Sequence, residues 1–181
     1  MDSIKTRGFR RSWYRYVILV MAPFLVIFAG CVGCPYSFTG ASVPPHLESL
    51  AVPFAEDKSG SAEPGLRENF STGLLNKFIE DNSFSITDRT QADAIIECVI
   101  VQFSDAPMVV NPGESVAARR ITIGVQVRYR DLVKKITIYE KQFSNYGDYA
   151  SSDGVAGKSS AIETALDKIT DDILLETVSG W

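Results

Sequence analysis

Histidine occurs once in these 181 residues, as His46, and cysteine three times, at positions 31, 34 and 98. A structural zinc site asks for four Cys or His ligands at fixed spacings. Cys31-x-x-Cys34 supplies half of one, and neither His46 nor Cys98 belongs to a second half. A thioredoxin-like dithiol sits at a strand-to-helix turn, whereas this pair opens a stretch with no periodicity, "CVGCPYSFTGASVPPHLE". There is no G-x-S-x-G elbow and no glycine loop of the phosphate-cradling kind. The serines have no obvious partner base, because His46 stands beside Pro44 and Pro45 and reads as a surface residue. The acidic "DKITDD" has helical spacing and lacks the glycine-bearing loop of an EF-hand. No enzyme, cofactor or metal is expected. The chain also lacks internal repeats, low-complexity tracts and any apolar run of the roughly 20 residues that a membrane-spanning helix needs. Its longest such run, "YVILVMAPFLVIFAG" over residues 16–30, is shorter and carries Pro23 in its middle.

The residues on either side of that run give it a meaning. Lys5, Arg7, Arg10, Arg11 and Arg15 form a basic start, and the small residues Ala29 and Gly30 end the run before Cys31. Basic start, short apolar stretch and small residues are the layout of a secretory signal peptide. Ala29-Gly30-Cys31 resembles the bacterial lipobox, in which the cysteine becomes the lipidated first residue of the mature chain. Cys34 fits that pattern less well, and the competing reading is an uncleaved single-span anchor. In the lipoprotein pattern, Val32 after the cysteine resembles an outer-membrane address. Removal of residues 1–30 takes five basic residues and Asp2, leaving 13 basic against 21 acidic residues, a net charge of −8. General nucleic-acid binding, which needs a basic footprint, is not expected. Whether Cys34 and Cys98 are free or paired stays open.

Residues 31–47 read as a tether, stiffened at Pro44-Pro45, and residues 48–181 as one domain. "SLAVPF" is a short strand whose Pro53 marks an edge or an end. "LRENFSTGLLNKFIEDN" is a helix with Leu66, Phe70, Leu74 and Phe78 on one stripe and Leu75 and Ile79 beside them. Gly73 either weakens that helix or admits another backbone. "FSIT" is a candidate strand, and "AIIECVIVQF" is β-rich and apolar on both faces. "RRITIGVQVRYR" alternates: Ile121, Ile123, Val125, Val127 and Tyr129 face one way, and Arg120, Thr122, Gln126, Arg128 and Arg130 the other. In "KKITIYEKQF", Ile136 and Ile138 are expected to join the buried face and Tyr139, Lys141 and Phe143 to point outward. "SNYGDYASSDG" reads as a loop. A second helix is expected from about Val155 to Val178, burying Ile162, Leu166, Ile169 and Ile173, with Asp167, Asp171 and Asp172 solvated. The order predicts an α+β two-layer sandwich, two helices on a mostly antiparallel sheet of four to five strands.

Between Arg119 and Lys141 stand seven basic residues against Asp131 and Glu140, so an acidic domain carries a strand pair of net +5. Ordinary edge-protecting charge accounts for such a cluster. The alternative is an anion site at Arg120, Arg128 and Arg130, whose planar forks suit phosphate, with Tyr139 and Phe143 nearby to cover acyl or sugar surface. Met108 and Val109, in the tip "DAPMVVNPGES", and Tyr146 and Tyr149 are candidate partner contacts.

"YSFTGASVPPHLESLAVPFAEDKSG", "LRENF", "TDRTQADAIIECVI", "RRITIGVQVRYRD" and "DKITDDILLETVSGW" together resemble the LptE family of lipopolysaccharide-assembly lipoproteins over almost the whole of residues 31–181. The resemblance implies an outer-membrane lipoprotein that faces the periplasm or plugs the lumen of an LptD-type β-barrel, and that binds lipopolysaccharide and assists its delivery to the outer leaflet. It also implies two helices on a mostly antiparallel sheet. Cys34 is a departure from the family pattern. The competing function is a periplasm-facing binding or scaffold lipoprotein with another envelope partner.

Overall fold

The computed structural model describes residues 43–108 and 118–179. Cys31, Cys34 and Val109 lie outside them. The element order is β1 (Ser49–Ala51), β2 (Glu56–Asp57), α1 (Leu66–Asp81), β3 (Ser85–Ile86), β4 (Ala94–Pro107), β5 (Ala118–Asp131), β6 (Ile136–Ala150), a 3-10 turn (Ser151–Asp153) and α2 (Gly154–Ser179). The expected two-helix α+β plan holds, and the sheet departs from expectation. It is mixed, with six strands among the described residues, in the order β3-β1-β4-β5-β6, and β2 also pairs with β4. Only β4–β5 and β5–β6 are antiparallel; β1–β3, β1–β4 and β2–β4 are parallel. Pro53 explains the doubled first strand. Leu50 and Ala51 face Ala94 and Ile95, whereas Glu56 and Asp57 face Val99 and Ile100 farther along β4. Proline has no N–H for a ladder, so the segment alongside β4 is cut in two, and Phe54 is left 65 % exposed between the pieces.

One face of the long β4–β5–β6 meander carries both helices. Ile121, Ile123, Val125, Val127 and Tyr129 are fully buried there, as their alternation predicts. Ile96, Cys98 and Ile100 of β4 join them, against Phe70, Leu74 and Phe78 of α1 and Ile162, Leu166, Ile169 and Ile173 of α2. Cys98 is a free thiol in this core, and burial pushes its pKa up to about 12. Ser71, buried on α1, accepts the Ala55 N–H at 3.0 Å, which satisfies a backbone donor that Pro53 keeps out of the ladder.

The expected orientation of β6 is reversed for Tyr139 and Phe143, whereas Ile138 packs partly buried against the core as expected. The β5–β6 register slips between Tyr129 and Arg130: Tyr129 faces Tyr139, but Arg130 faces Thr137, leaving Ile138 as the extra residue. Such a bulge flips the parity of the residues beyond it. Phe143 is therefore buried in the core beneath α2, and the Tyr139 hydroxyl meets Thr177 Oγ1 at 2.9 Å. Ile136 is 52 % exposed. The expected loop from Ser144 is also strand, because β6 continues to Ala150. Gly147 makes this possible: a Cβ there would lie 2.0 Å from the carbonyl oxygen of Ala161, so α2 comes down directly onto the strand.

The outer flank of β6 is tied to α2 by three side-chain bridges. Lys168 Nζ donates to the Tyr146 carbonyl at 3.0 Å, Asn145 Nδ2 to Asp172 Oδ2 at 2.7 Å, and Lys141 Nζ to Glu176 Oε2 at 2.8 Å. Residues 168, 172 and 176 are spaced by four and share one helical stripe. Asp167 and Asp171, expected to be merely solvated, both hold Lys77 of α1, at 2.8 and 2.7 Å.

Gly73 has no close backbone neighbour. A Cβ there would meet only Thr170 Cγ2, at 4.0 Å. Gly73→Ala is therefore expected to stabilise the domain by up to about 1 kcal/mol, the propensity difference in a helix interior. Urea unfolding of the variant against the wild type checks it, and a loss of stability would contradict the 4.0 Å spacing.

Candidate functional site

The face of the sheet turned away from the helices gathers the charge noted in the sequence. Even-numbered residues of β5 project there, so Arg120, Arg128 and Arg130 share it as expected. They are not bare cations. Arg120 forks onto Asp148, Nε to Oδ1 at 2.6 Å and Nη2 to Oδ2 at 2.8 Å. Arg128 forks onto Glu140 at 2.9 and 3.1 Å. Arg130 reaches Glu97 at 3.3 Å, which Arg89 also approaches, at 3.2 Å. Hydrogen bonding to Arg128 holds the Glu140 carboxyl below the usual carboxylate range, and Arg120 does the same to Asp148. Carboxylates on the flanking strands thus already neutralise Arg128 and Arg130 without any bound anion. These pairs are part-exposed, so they add little to stability.

Beside Arg128 the face is hollowed by a cavity of about 440 Å3, lined among others by Phe54, Lys58, Arg89, Glu97, Arg128 and Glu140. Lys58 is itself paired with Glu56 at 2.6 Å. Arg130 Nε, buried near this hollow, has no hydrogen-bond partner among the described residues. The aromatic contribution expected from Tyr139 and Phe143 is absent from this face, since both are turned to the helices. Phe54 stands at the hollow instead, and Tyr146 lies farther along. The Arg120 guanidinium stacks 3.7 Å from the Tyr146 ring centroid, and Lys168 Nζ lies 5.0 Å from it. Sequence reasoning misses Phe54, because its place depends on the break at Pro53.

The remaining candidates separate. Tyr146 is 43 % exposed and open to a partner. Tyr149 is engaged on the helix side: its hydroxyl donates to Asp105 Oδ2 at 3.0 Å, and Arg119 Nε donates to Asp105 Oδ1 at 2.8 Å. Met108 follows β4, with its N–H donating to the Ala118 carbonyl at 2.9 Å. Val109 and the lipidation candidate Cys31 lie outside the described residues.

His46 is not the bland surface residue expected. Its Nε2 lies 2.7 Å from Oδ2 of Asp131, whose other oxygen accepts the Lys134 N–H at 2.7 Å. Asp131 is 2 % exposed. Burial pushes its carboxyl up, but the Lys134 amide, His46 and the Val133 amide together outweigh it and hold the group below its ordinary value. Asp93, just before β4, is a second such acceptor, taking hydrogen bonds from Ser49 Oγ at 2.7 Å and Ser49 N at 3.0 Å. Among the described residues, no three His, Cys, Asp or Glu side chains converge as a metal site, and no helix is long and apolar enough to cross a membrane.

Solved structures show where this fold recurs. The protein CT253 from Chlamydia trachomatis superimposes with a TM-score of 0.57 at 12 % identity, over 75 % of this chain and 97 % of that one. The protein XCC0632 from Xanthomonas campestris gives 0.56 at 14 %, over 74 % and 85 %. The rare lipoprotein B from Shewanella oneidensis gives 0.51 at 11 %, over 74 % and 96 %. At these identities the likeness is one of fold alone. A search of the curated proteins gives no match. Residues 47–177, which run from the start of the sheet nearly to the end of α2, match the family model described as LptE, lipopolysaccharide-assembly, and the chain belongs to the LptE family.

Proposed function

We propose that the protein is a non-catalytic outer-membrane lipoprotein, anchored through Cys31, that works beside or inside an LptD-type β-barrel in lipopolysaccharide assembly. The observation that carries this reading is the family match across residues 47–177. The basic and apolar leader ending in Ala29-Gly30-Cys31 supports the anchor. Cys31→Ala is expected to abolish lipid-linked processing while Cys34→Ala leaves it intact; intact mass with lipid on Cys34 would overturn the assignment. The partner is tested by crosslinking from membranes with a photoreactive residue at Tyr146 or Met108. A barrel-sized adduct supports the reading, and its absence at both positions counts against it.

The outward face is the proposed lipopolysaccharide surface, where phosphate displaces carboxylates already held by Arg128 and Arg130. Loss of both arginines is expected to weaken lipopolysaccharide binding by roughly tenfold or more, the scale of lost charge-assisted hydrogen bonds. Glu140→Gln should do the opposite, because it frees the Arg128 fork without removing it. Arg67→Ala is the suitable control: among the described residues its side chain pairs only with the neighbouring Glu68, whereas Lys77 bridges both helices. Binding titrations on the four proteins decide the matter, and equal affinities would leave these arginines as solubilising charge.

A further inference from the structure

Between the Arg128–Glu140 pair and the Arg120–Asp148 pair, the outward face changes character. On β5 only Gln126, Gly124 and Thr122 project there, over about 14 Å of strand. Their neighbours across the ladders are Gln142 and Ser144 on β6 and Gln102 and Ser104 on β4. None of these residues carries a charge.

A bulge puts Gln102 in this band. Ile100 faces Val125 but Gln102 faces Gly124, so Val101 is the extra residue of β4, and the parity of the strand changes beyond it. Ile100 is buried in the core, while Gln102 is exposed on the outward face. Gly124 leaves a gap that two glutamines reach across. A Cβ at Gly124 would lie 3.1 Å from Gln142 Nε2 and 3.3 Å from Gln102 Oε1. A carboxamide donor and a carboxamide acceptor from opposite strands thus approach one point, and among the described residues neither side chain has a hydrogen-bond partner. Gln126 adds a third amide, whose Nε2 only just reaches Glu140 Oε1, at 3.5 Å.

This chemistry selects a ligand. Phosphate seeks cations, which stand at the ends of the band and not within it. An acyl chain would strip water from the carboxamides without replacing its hydrogen bonds. A sugar hydroxyl both donates and accepts, so a single one satisfies Gln102 Oε1 and Gln142 Nε2 together, and its ring neighbours meet Gln126 or Ser144. Phe54, beside Gln126 at the hollow, offers an apolar ring to the C–H face of a sugar.

We propose that this uncharged band is a saccharide site, in which Gln102, Gln126 and Gln142 bind the hydroxyls of sugars that extend from a phosphorylated glycolipid. The proposal rests on the lipopolysaccharide reading of the outward face and gives the ligand a direction: phosphate at Arg128 and Arg130, and core sugars leading along β5 toward Arg120.

The test titrates the full chain in detergent with two glycolipids. One is lipopolysaccharide bearing its core sugars; the other is the lipid A part alone, which keeps the phosphates and acyl chains. The wild type should bind the first roughly fivefold more tightly or better, the scale of one or two neutral hydrogen bonds. Gln102→Ala with Gln142→Ala should erase that preference and leave the affinity for lipid A unchanged. Both glutamines are exposed, so the melting temperature of this double variant should stay with the wild type. Asn76→Ala, which removes an exposed amide from α1, should change neither affinity. Arg128→Ala with Arg130→Ala should weaken both glycolipids by the same factor. A wild type that binds the two glycolipids equally overturns the saccharide site and leaves the phosphate reading standing, as does a glutamine variant that keeps the preference. A glutamine variant weakened equally toward both also overturns it. A wild type that binds neither overturns the lipopolysaccharide reading and the proposal together.

Discussion

Gly147→Ala is expected to cost the domain about 3 kcal/mol or more, near the top of the range for overpacking. The added Cβ would lie 2.0 Å from the oxygen, 2.7 Å from the carbonyl carbon and 2.8 Å from the Cα of Ala161. All three atoms are main chain, so no rotamer change relieves the clash. Helix α2 must lift from β6, and Ala161, Ile162 and Ala165, all buried in the core, lose their packing. For a chain of this size the melting temperature should fall by roughly 6–12 °C. Gly124→Ala gives the contrast. Its Cβ would meet Gln142 Nε2, the mobile end of a side chain, and Gln102 Cβ, fixed by its strand, both at 3.1 Å, so a shift of the strands by a fraction of an ångström relieves it and a smaller drop is expected. Thermal unfolding of both variants is the measurement. If Gly147→Ala melts within a degree or two of the wild type, α2 is not seated on β6 as described.

Asp131→Asn is expected to lose about 2 kcal/mol at neutral pH, the cost of disrupting the partners of a buried acceptor. The carboxylate serves His46 at one oxygen and the Lys134 amide at the other. Its folded value lies below the ordinary 3.8. A depressed carboxyl stabilises the fold above the unfolded value, and that contribution disappears as the pH falls through the folded one. The wild type and the variant should therefore differ fully above about pH 5 and converge in acid, below pH 3.8. Urea unfolding of both proteins from about pH 7 to about pH 3 spans that window. A difference that stays constant over the range would show the loss to be one of shape and not of charge.

The features of the fold legible in the sequence are those written in a local period. The β5 alternation places both its buried apolar row and Arg120, Arg128 and Arg130 correctly, because it contains no irregularity until Tyr129. The stripes of α1 and α2 are equally plain, although Ile79 is exposed. The rest is decided by partners distant in sequence. The slip at Ile138 turns Tyr139 and Phe143 inward, and nothing in "ITIYEKQF" announces it. "SNYGDYA" reads as a loop because Asn, Gly and Asp are poor strand formers. Gly147 belongs there for the sake of a helix that comes after it. His46 and Asp131 are 85 residues apart, and the carboxylates opposite the arginines come from β4 and β6, so only the assembled sheet could reveal that the basic strand pair is balanced.

The bridges from α2 to β6 have a consequence for crowding. β6 is the last strand on its side of the sheet, and its fifteen residues would otherwise offer a long row of unpaired backbone groups to any neighbouring chain. Lys168 occupies the Tyr146 carbonyl, and the side chains of Asp172 and Glu176 stand along the same flank through Asn145 and Lys141. A strand arriving from another copy would have to displace this fence of charge before forming its first ladder bonds. Copies held side by side on one surface can therefore remain separate molecules instead of growing into a continuous sheet.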